Sequence, residues 1–280
     1  MKNIVITGVS TGIGLGCTRA FIKKGYRVFG SVRKQADADR LQQELGSNFV
    51  PLIFDVTNQE TVLEAAQEVQ KIIGNKGLDG LINNAGIAVA GPLLNLPLED
   101  LKWQLDVNVV GVIGVTQAFA KMLGAQINCP HKPGRIVNIS SMVGLMTPPF
   151  MGPYVASKHA VEGISGSLRA ELMLYGIDLV VIGPGAVKTA IWEKGAAIDS
   201  SVYESTDYAS SGKRFQRYIM NEAENGFTIE DFGQKILKIF ETPNPKYRYA
   251  LVPKKLTNWT IPRLLPKKVV DNFLGKKLFK

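Results

Sequence analysis

The chain has 280 residues, enough for one large α/β domain with a full core. Apolar residues at 45% and charged residues at 20% are ordinary for a globular domain, and two cysteines, Cys17 and Cys129, are too few for a disulfide scaffold. The net charge of +9 is uneven: Glu241 to Lys280 holds ten Lys or Arg against two acidic residues, leaving +1 on the first 240 residues. That excludes a uniformly basic body, so no nucleic-acid partner is expected. No apolar run reaches the roughly 18 residues a membrane-spanning helix needs, and the start lacks a signal-peptide pattern. A cytoplasmic protein is expected.

Short β-branched runs alternate with longer amphipathic stretches. Asn3 to Thr7 reads as a first strand, Gly12 to Lys24 as a helix, and Arg27 to Ser31 as a second strand. Lys34 to Leu45 is helical, Phe49 to Phe54 a strand, Asn58 to Ile73 helical, and Leu78 to Asn83 a strand. Apolar spacing predicts one long helix from Leu98 to Leu123, then a proline-containing loop at Ala125 to Gly134. Arg135 to Ser140 is a strand, Pro153 to Leu174 a helix, Ile177 to Ile182 a strand, and Tyr249 to Val252 a last short strand. Ala190 to Asn225 is polar and weakly periodic, as a cover over a pocket would be. Such alternation predicts a Rossmann-type, doubly wound α/β fold: a mostly parallel sheet with helices on both faces. Residues 1–252 are expected to form one domain, with the cover near 190–225, and residues 253–280 a basic amphipathic tail.

Thr7-Gly8-Val9-Ser10-Thr11-Gly12-Ile13-Gly14 lies between the first strand and first helix. Glycines there permit a tight turn and close approach of a pyrophosphate to the helix N-terminus. Gly8, Thr11, Gly12, Ile13 and Gly14 are therefore candidate cofactor contacts. After strand two, the acidic residue that would accept from an adenosine ribose is missing, and Arg33 and Lys34 suit a 2′-phosphate instead. NADP(H) is favoured over NAD(H). Asn83, Ala85 and Gly86 sit at the carboxyl end of strand four, where open α/β sheets bind ligands. Tyr154 and Lys158 lie four apart on one helical face. A lysine ammonium beside a phenol is expected to draw its pKa down toward working pH, which suits acid/base chemistry on a carbonyl or alcohol. Such a pair also arises by chance in many helices.

Taken together in this order, the glycine turn, Asn-Asn-Ala-Gly, Tyr-x-x-x-Lys and Pro184-Gly185 resemble the short-chain dehydrogenase/reductase family, in its compact single-domain branch. The resemblance covers about Lys2 to Ile191. It implies an oxidoreductase interconverting carbonyl and alcohol, without a metal. It implies that Ser141, preferred to Ser140 by the family's spacing, polarises the substrate oxygen, and that Asn108 supports a water-linked proton path to Lys158. It implies contacts to the cofactor from Asp55 and Val56, Pro184, Gly185 and Thr189, and from Lys158 to the nicotinamide ribose. A homodimer or homotetramer is likewise implied.

The substrate is expected to be a small apolar carbonyl or alcohol. Met142 to Met151 is free of charge and should border the pocket, and Ile191 and Trp192 open the cover. The look is similar to hydroxysteroid and retinol dehydrogenases, so a steroid, retinoid or lipid is implied. The tail from Leu264 to Lys280 suits either peripheral contact with an anionic membrane or packing on the body. Two rival readings stand beside the enzyme: a nucleotide-binding regulator with little turnover, and a membrane-surface protein.

Overall fold

A computed structural model describes residues 1–189 and 203–279. Seven strands form one sheet: β1 (Lys2–Ile6), β2 (Tyr26–Val32), β3 (Phe49–Ile53), β4 (Gly80–Asn83), β5 (Arg135–Ile139), β6 (Asp178–Pro184) and β7 (Arg248–Leu251). The order is β3-β2-β1-β4-β5-β6-β7, and every neighbouring pair is parallel. The strand order reverses between β1 and β4, so their carboxyl ends open a crevice there. β3 carries Pro51, tolerated because β3 is an edge strand.

The strands are apolar throughout because both faces are covered. In β1, Ile4 and Ile6 pack on one core with Phe21 of α1 (Gly12–Lys23). Val5 turns to the other core, with Val62 and Val69 of α3 (Gln59–Ile73). Ala38 and Leu41 of α2 (Gln35–Leu45) join the first core. The second core also takes Val115 and Phe119 of α5 (Gly111–Phe119) and Leu172 of α6 (Gly152–Leu172).

The long helix expected from Leu98 to Leu123 is shorter and interrupted. It runs as α4 (Leu98–Leu105), a π-helical turn (Asp106–Val110) and α5, ending at Phe119. Part of the expected cover is a regular helix, α7 (Ala209–Glu224), preceded by turns at 203–208; residues 190–202, with Ile191 and Trp192, lie outside the described residues.

The sequence reading placed nothing at 226–240, yet α8 (Ile229–Phe240) fills it and packs on α1. Thr228 caps α8 by accepting from the Asp231 amide at 3.1 Å. The two helices meet at glycines: a Cβ on Gly16 would lie 2.0 Å from the Ile229 carbonyl oxygen. Past β7, the chain forms a π-helical turn (Leu256–Thr260), the short α9 (Ile261–Leu264) and α10 (Lys267–Phe279). Trp259 and Leu278 are buried against the body.

Gly16→Ala should therefore force α1 and α8 apart and cost about 1–3 kcal/mol in a denaturant melt. Gly163→Ala on α6 meets nothing within 4 Å and should instead stabilise by roughly 0.5–1 kcal/mol.

Candidate active site

The crevice at the β1/β4 switch holds a cavity of about 400 Å3. The glycine turn forms one wall. Gly8 adopts φ +70°, and a Cβ there would lie 2.8 Å from the Ala85 Cα. Thr7 Oγ1 accepts from the amides of Asn84 at 2.9 Å and Ala85 at 3.0 Å. Asn84 Nδ2 donates back to the carbonyls of Thr7 at 2.8 Å and Gly8 at 3.0 Å. Ser31, at the end of β2, accepts from Gly8 N at 3.0 Å through its hydroxyl.

Thr11, Gly12 and Ile13 line the cavity at the start of α1. Thr11 makes no side-chain cap, and the first turn holds no acidic residue. Uncapped amides at a helix N-terminus, with no carboxylate beside them, suit a pyrophosphate. Gly14 lies behind this wall: a Cβ on it would strike the Gly8 carbonyl oxygen at 2.2 Å. Arg33 lines the cavity and is 64% exposed, its guanidinium 3.7 Å from Asp55. Lys34 immediately precedes α2, makes no side-chain cap there, and is not among the lining residues. Arg40, which the sequence did not single out, donates to the Ser10 carbonyl at 2.8 Å. Burial works against the charge of Asp55, but Thr57's amide and hydroxyl and the Arg33 charge outweigh it, so its carboxyl titrates below its ordinary range. Asp55 and Val56 line the cavity beside Phe54, and Pro184, Gly185 and Thr189 line its far side.

Asn83 is placed elsewhere than expected. Its side chain is buried beneath the sheet ends, donating to Thr116 Oγ1 at 3.0 Å and Asn138 Oδ1 at 2.9 Å. The period of two turns it away, and Asn84, Ala85 and Gly86 line the cavity instead. Asn108 sits in the π-helical turn. It accepts from the Ile87 amide at 2.9 Å and donates to the Ile87 carbonyl and to Ser157 Oγ, both at 3.0 Å.

Ser141, Tyr154 and Lys158 meet at the inner end of the cavity. Ser141 Oγ accepts from the Val143 amide at 3.2 Å, and its side chain lies close enough to the Tyr154 phenol to favour the ionised form. Ser140 also lines the cavity, its hydroxyl donating to Glu162 Oε1 at 2.7 Å. Lys158 Nζ lies 5.6 Å from the Tyr154 ring centroid and donates to the Ile139 carbonyl at 2.9 Å. Burial pushes the phenol up to about 12, with the Ser141 side chain working the other way. The expected lowering of the tyrosine by its lysine is not found: desolvation is the dominant influence. Burial also brings Lys158 down to about 8, with the Glu162 charge opposing.

The segment from Met142 to Met151, expected at the pocket border, contributes no lining residue to this cavity. Phe150 and Met151 instead cluster with Phe215 of α7 and Leu278 of α10, against Tyr154. Ile87, Trp103 and Val107 supply apolar lining.

A family model described as short chain dehydrogenase matches residues 2–197. An NADPH-dependent 3-dehydrocapnine reductase of Ornithobacterium rhinotracheale is 40% identical, covering 100% of this chain and 98% of that protein. A 3-ketodihydrosphingosine reductase of Bacteroides thetaiotaomicron is 33% identical over 89% of this chain and 87% of its own. Among solved structures, ElxO with NADP bound superposes with a TM-score of 0.73 at 28% identity, over 92% of this chain and 99% of its own.

Burial of Lys158 has a signature in stability. Below pH about 8 the folded and unfolded chains both hold the proton; between about 8 and the ordinary 10.5 only the unfolded chain does. Stability should therefore rise with pH through that window, because the unfolded state binds more protons. Denaturant melts from pH 7 to pH 10 should show a rise about 2 kcal/mol smaller in Lys158→Met than in the unsubstituted protein.

Proposed function

The chain belongs to the short-chain dehydrogenase/reductase family, an oxidoreductase acting between carbonyl and alcohol with a nicotinamide cofactor, and we propose that it reduces an apolar ketone or aldehyde with NADPH, Tyr154 giving the proton. One observation carries this reading. Ser141 and Tyr154 line the same cavity as Lys158, an uncapped helix N-terminus and Arg33.

The α1 amides would hold the pyrophosphate and Arg33 a 2′-phosphate. Asp55 and Val56 would flank the adenine, and Pro184, Gly185 and Thr189 the nicotinamide end. NADPH rather than NADH is supported by the arginine where an acidic ribose acceptor would stand. The relative 40% identical over the whole chain is itself named NADPH-dependent.

Bound there, the cofactor supplies the hydride. Ser141 Oγ and the Tyr154 phenol both donate to the substrate oxygen and orient its carbon. As negative charge develops on that oxygen, the phenol transfers its proton and the product leaves as an alcohol. The Lys158 ammonium faces the phenolate so formed and offsets its charge. Ile87, Trp103 and Val107 keep the substrate end apolar, and Phe150 with Leu278 backs the tyrosine. An apolar substrate agrees with this lining; two relatives are named for 3-dehydrocapnine and 3-ketodihydrosphingosine.

We read the C-terminal helices as a contact with an anionic membrane surface, from which such a substrate would enter. No helix of the described residues is long and apolar enough to cross a membrane. Val270, Leu274 and Leu278, four apart, form the more sheltered face of α10, and Leu278 joins the cluster at α7. Leu264 (80% exposed) and Phe273 (68% exposed) remain uncovered. Arg263, Lys267, Lys268, Lys276 and Lys277 flank them in the sequence. Exposed apolar groups interspersed with cations complement anionic headgroups.

Tyr154→Phe should lower kcat by roughly 10²–10⁴-fold while NADPH affinity, measured by fluorescence titration, holds. Arg33→Ala should weaken NADPH by about 10–100-fold and leave NADH nearly unmoved; equal losses for both would refute the 2′-phosphate contact. Co-sedimentation with phosphatidylserine vesicles should exceed that with phosphatidylcholine vesicles, and a Leu264→Glu, Phe273→Glu double variant should abolish it. Equal sedimentation with both lipids would remove the membrane reading.

A further inference from the structure

Helix α6 carries a third polar residue in register with its reacting pair. Tyr154, Lys158 and Glu162 lie four apart and so form one stripe. The Glu162 side chain is only 11% exposed, yet it is an ion-pair partner. Arg248 of β7 reaches it with Nε at 3.0 and 2.9 Å from its two oxygens, and Ser140 donates to it at 2.7 Å.

The arginine is itself held on three sides. A second nitrogen donates to the Ser141 carbonyl at 3.2 Å. Its guanidinium lies 4.9 Å from the ring centroid of buried Trp259, which takes Arg263 at 4.7 Å as well. The backbone makes room for it: a Cβ on Gly183 would lie 2.5 Å from the Arg248 guanidinium nitrogen. A Cβ on Gly144 would likewise crowd Glu162, at 3.0 Å. Space at two glycines, two serines and a stacked tryptophan thus converge on one buried ion pair.

A buried ion pair is a poor stabiliser, since desolvation offsets most of its attraction. Its position suggests another use. Among the described residues, the charged or titratable groups facing Lys158 are Tyr154 and Glu162 on its own helix, with Arg248 behind Glu162. The end of β5 offers it only the Ile139 carbonyl and the two serines.

We infer that Glu162 is the counter-charge that keeps Lys158 protonated for catalysis, and that Arg248, clamped on Trp259, is the positioning residue that fixes both Glu162 and the Ser141 backbone. The inference rests on the reading of Tyr154 as the proton donor, because the lysine charge matters there through the phenolate it faces. Arg248 also neutralises part of the carboxylate's field. The two residues therefore act on the lysine with opposite signs.

The test is kcat/KM for NADPH-dependent reduction against pH, run with denaturant melts of the protein alone over the same range. The unsubstituted enzyme should lose activity as pH rises and Lys158 gives up its proton. In Glu162→Gln that falling limb should move about one pH unit toward acid, and the Lys158 stability rise should begin at correspondingly lower pH. In Arg248→Gln both should move toward alkali. Glu162→Asp keeps the charge and should leave the limb in place even where kcat falls; it decides the matter should Arg248→Gln not fold. Limbs that superpose for Glu162→Gln and the unsubstituted enzyme would overturn the inference. So would a Glu162→Asp limb displaced as far as that of Glu162→Gln. Retained turnover in Tyr154→Phe would instead sink the catalytic reading itself, and the melts would still report whether Glu162 sets the lysine's charge.

Discussion

β1 and β4 are neighbours whose following segments leave in different directions, and the cavity exists because the two loops are stitched together where they part. Thr7 Oγ1 takes two amides from the β4 loop, and Asn84 returns two hydrogen bonds to the glycine turn. Only a residue without a Cβ fits at Gly8, where the loops touch. The stitch fixes where α1 begins and therefore where its free amides point. It also holds Ala85 and Gly86 low enough to leave room above them. Weakening it would move the phosphate end and the β4 floor of the cavity together.

The other end of the cavity is governed by dryness. Burial drives the Tyr154 phenol and the Lys158 amine toward their neutral forms, one by raising its pKa and the other by lowering it. A tyrosine held protonated is a competent donor but a reluctant one. Its reluctance falls as charge builds on the substrate oxygen, since a cation is then already in place beside it. The low dielectric that makes the lysine hard to charge also makes its charge count for more. This is why a carboxylate one turn further along the same helix bears on the chemistry without touching it.

Much of this could be read from the residues, and the failures have physical reasons. Apolar β-branched runs revealed the strands because a sheet covered on both faces has no polar alternation to confuse the pattern. Tyr154 and Lys158 were legible because helical spacing places them on one face. Asn83 was misplaced because strand period flips orientation between adjacent residues, and the exact strand end cannot be read to one residue. The π-helical turn at Asn108 left no trace in the apolar spacing, and the Ile87 backbone that its side chain meets is 21 residues away. Helix α8 was missed although Thr228, Asp231 and the apolar spacing from Ile229 to Phe240 announce it. The lysine's effect on the tyrosine was misjudged because spacing shows proximity and says nothing of desolvation. Glu162 was visible at the same four-residue step, but its partner Arg248 lies 86 residues away and only the fold brings it there.

The C-terminal segment looks like an appendage in the sequence, since nearly all the net charge lies there. In the structure it touches the site twice. Trp259 presses on Arg248 beneath Ser141, and Leu278 joins Phe150 and Phe215 against Tyr154. The first contact bears on the proton chemistry and the second on the packing behind the tyrosine. Charge density explains why the outer face of this segment stays exposed: lysines that close together resist burial, so only the residues between them can pack.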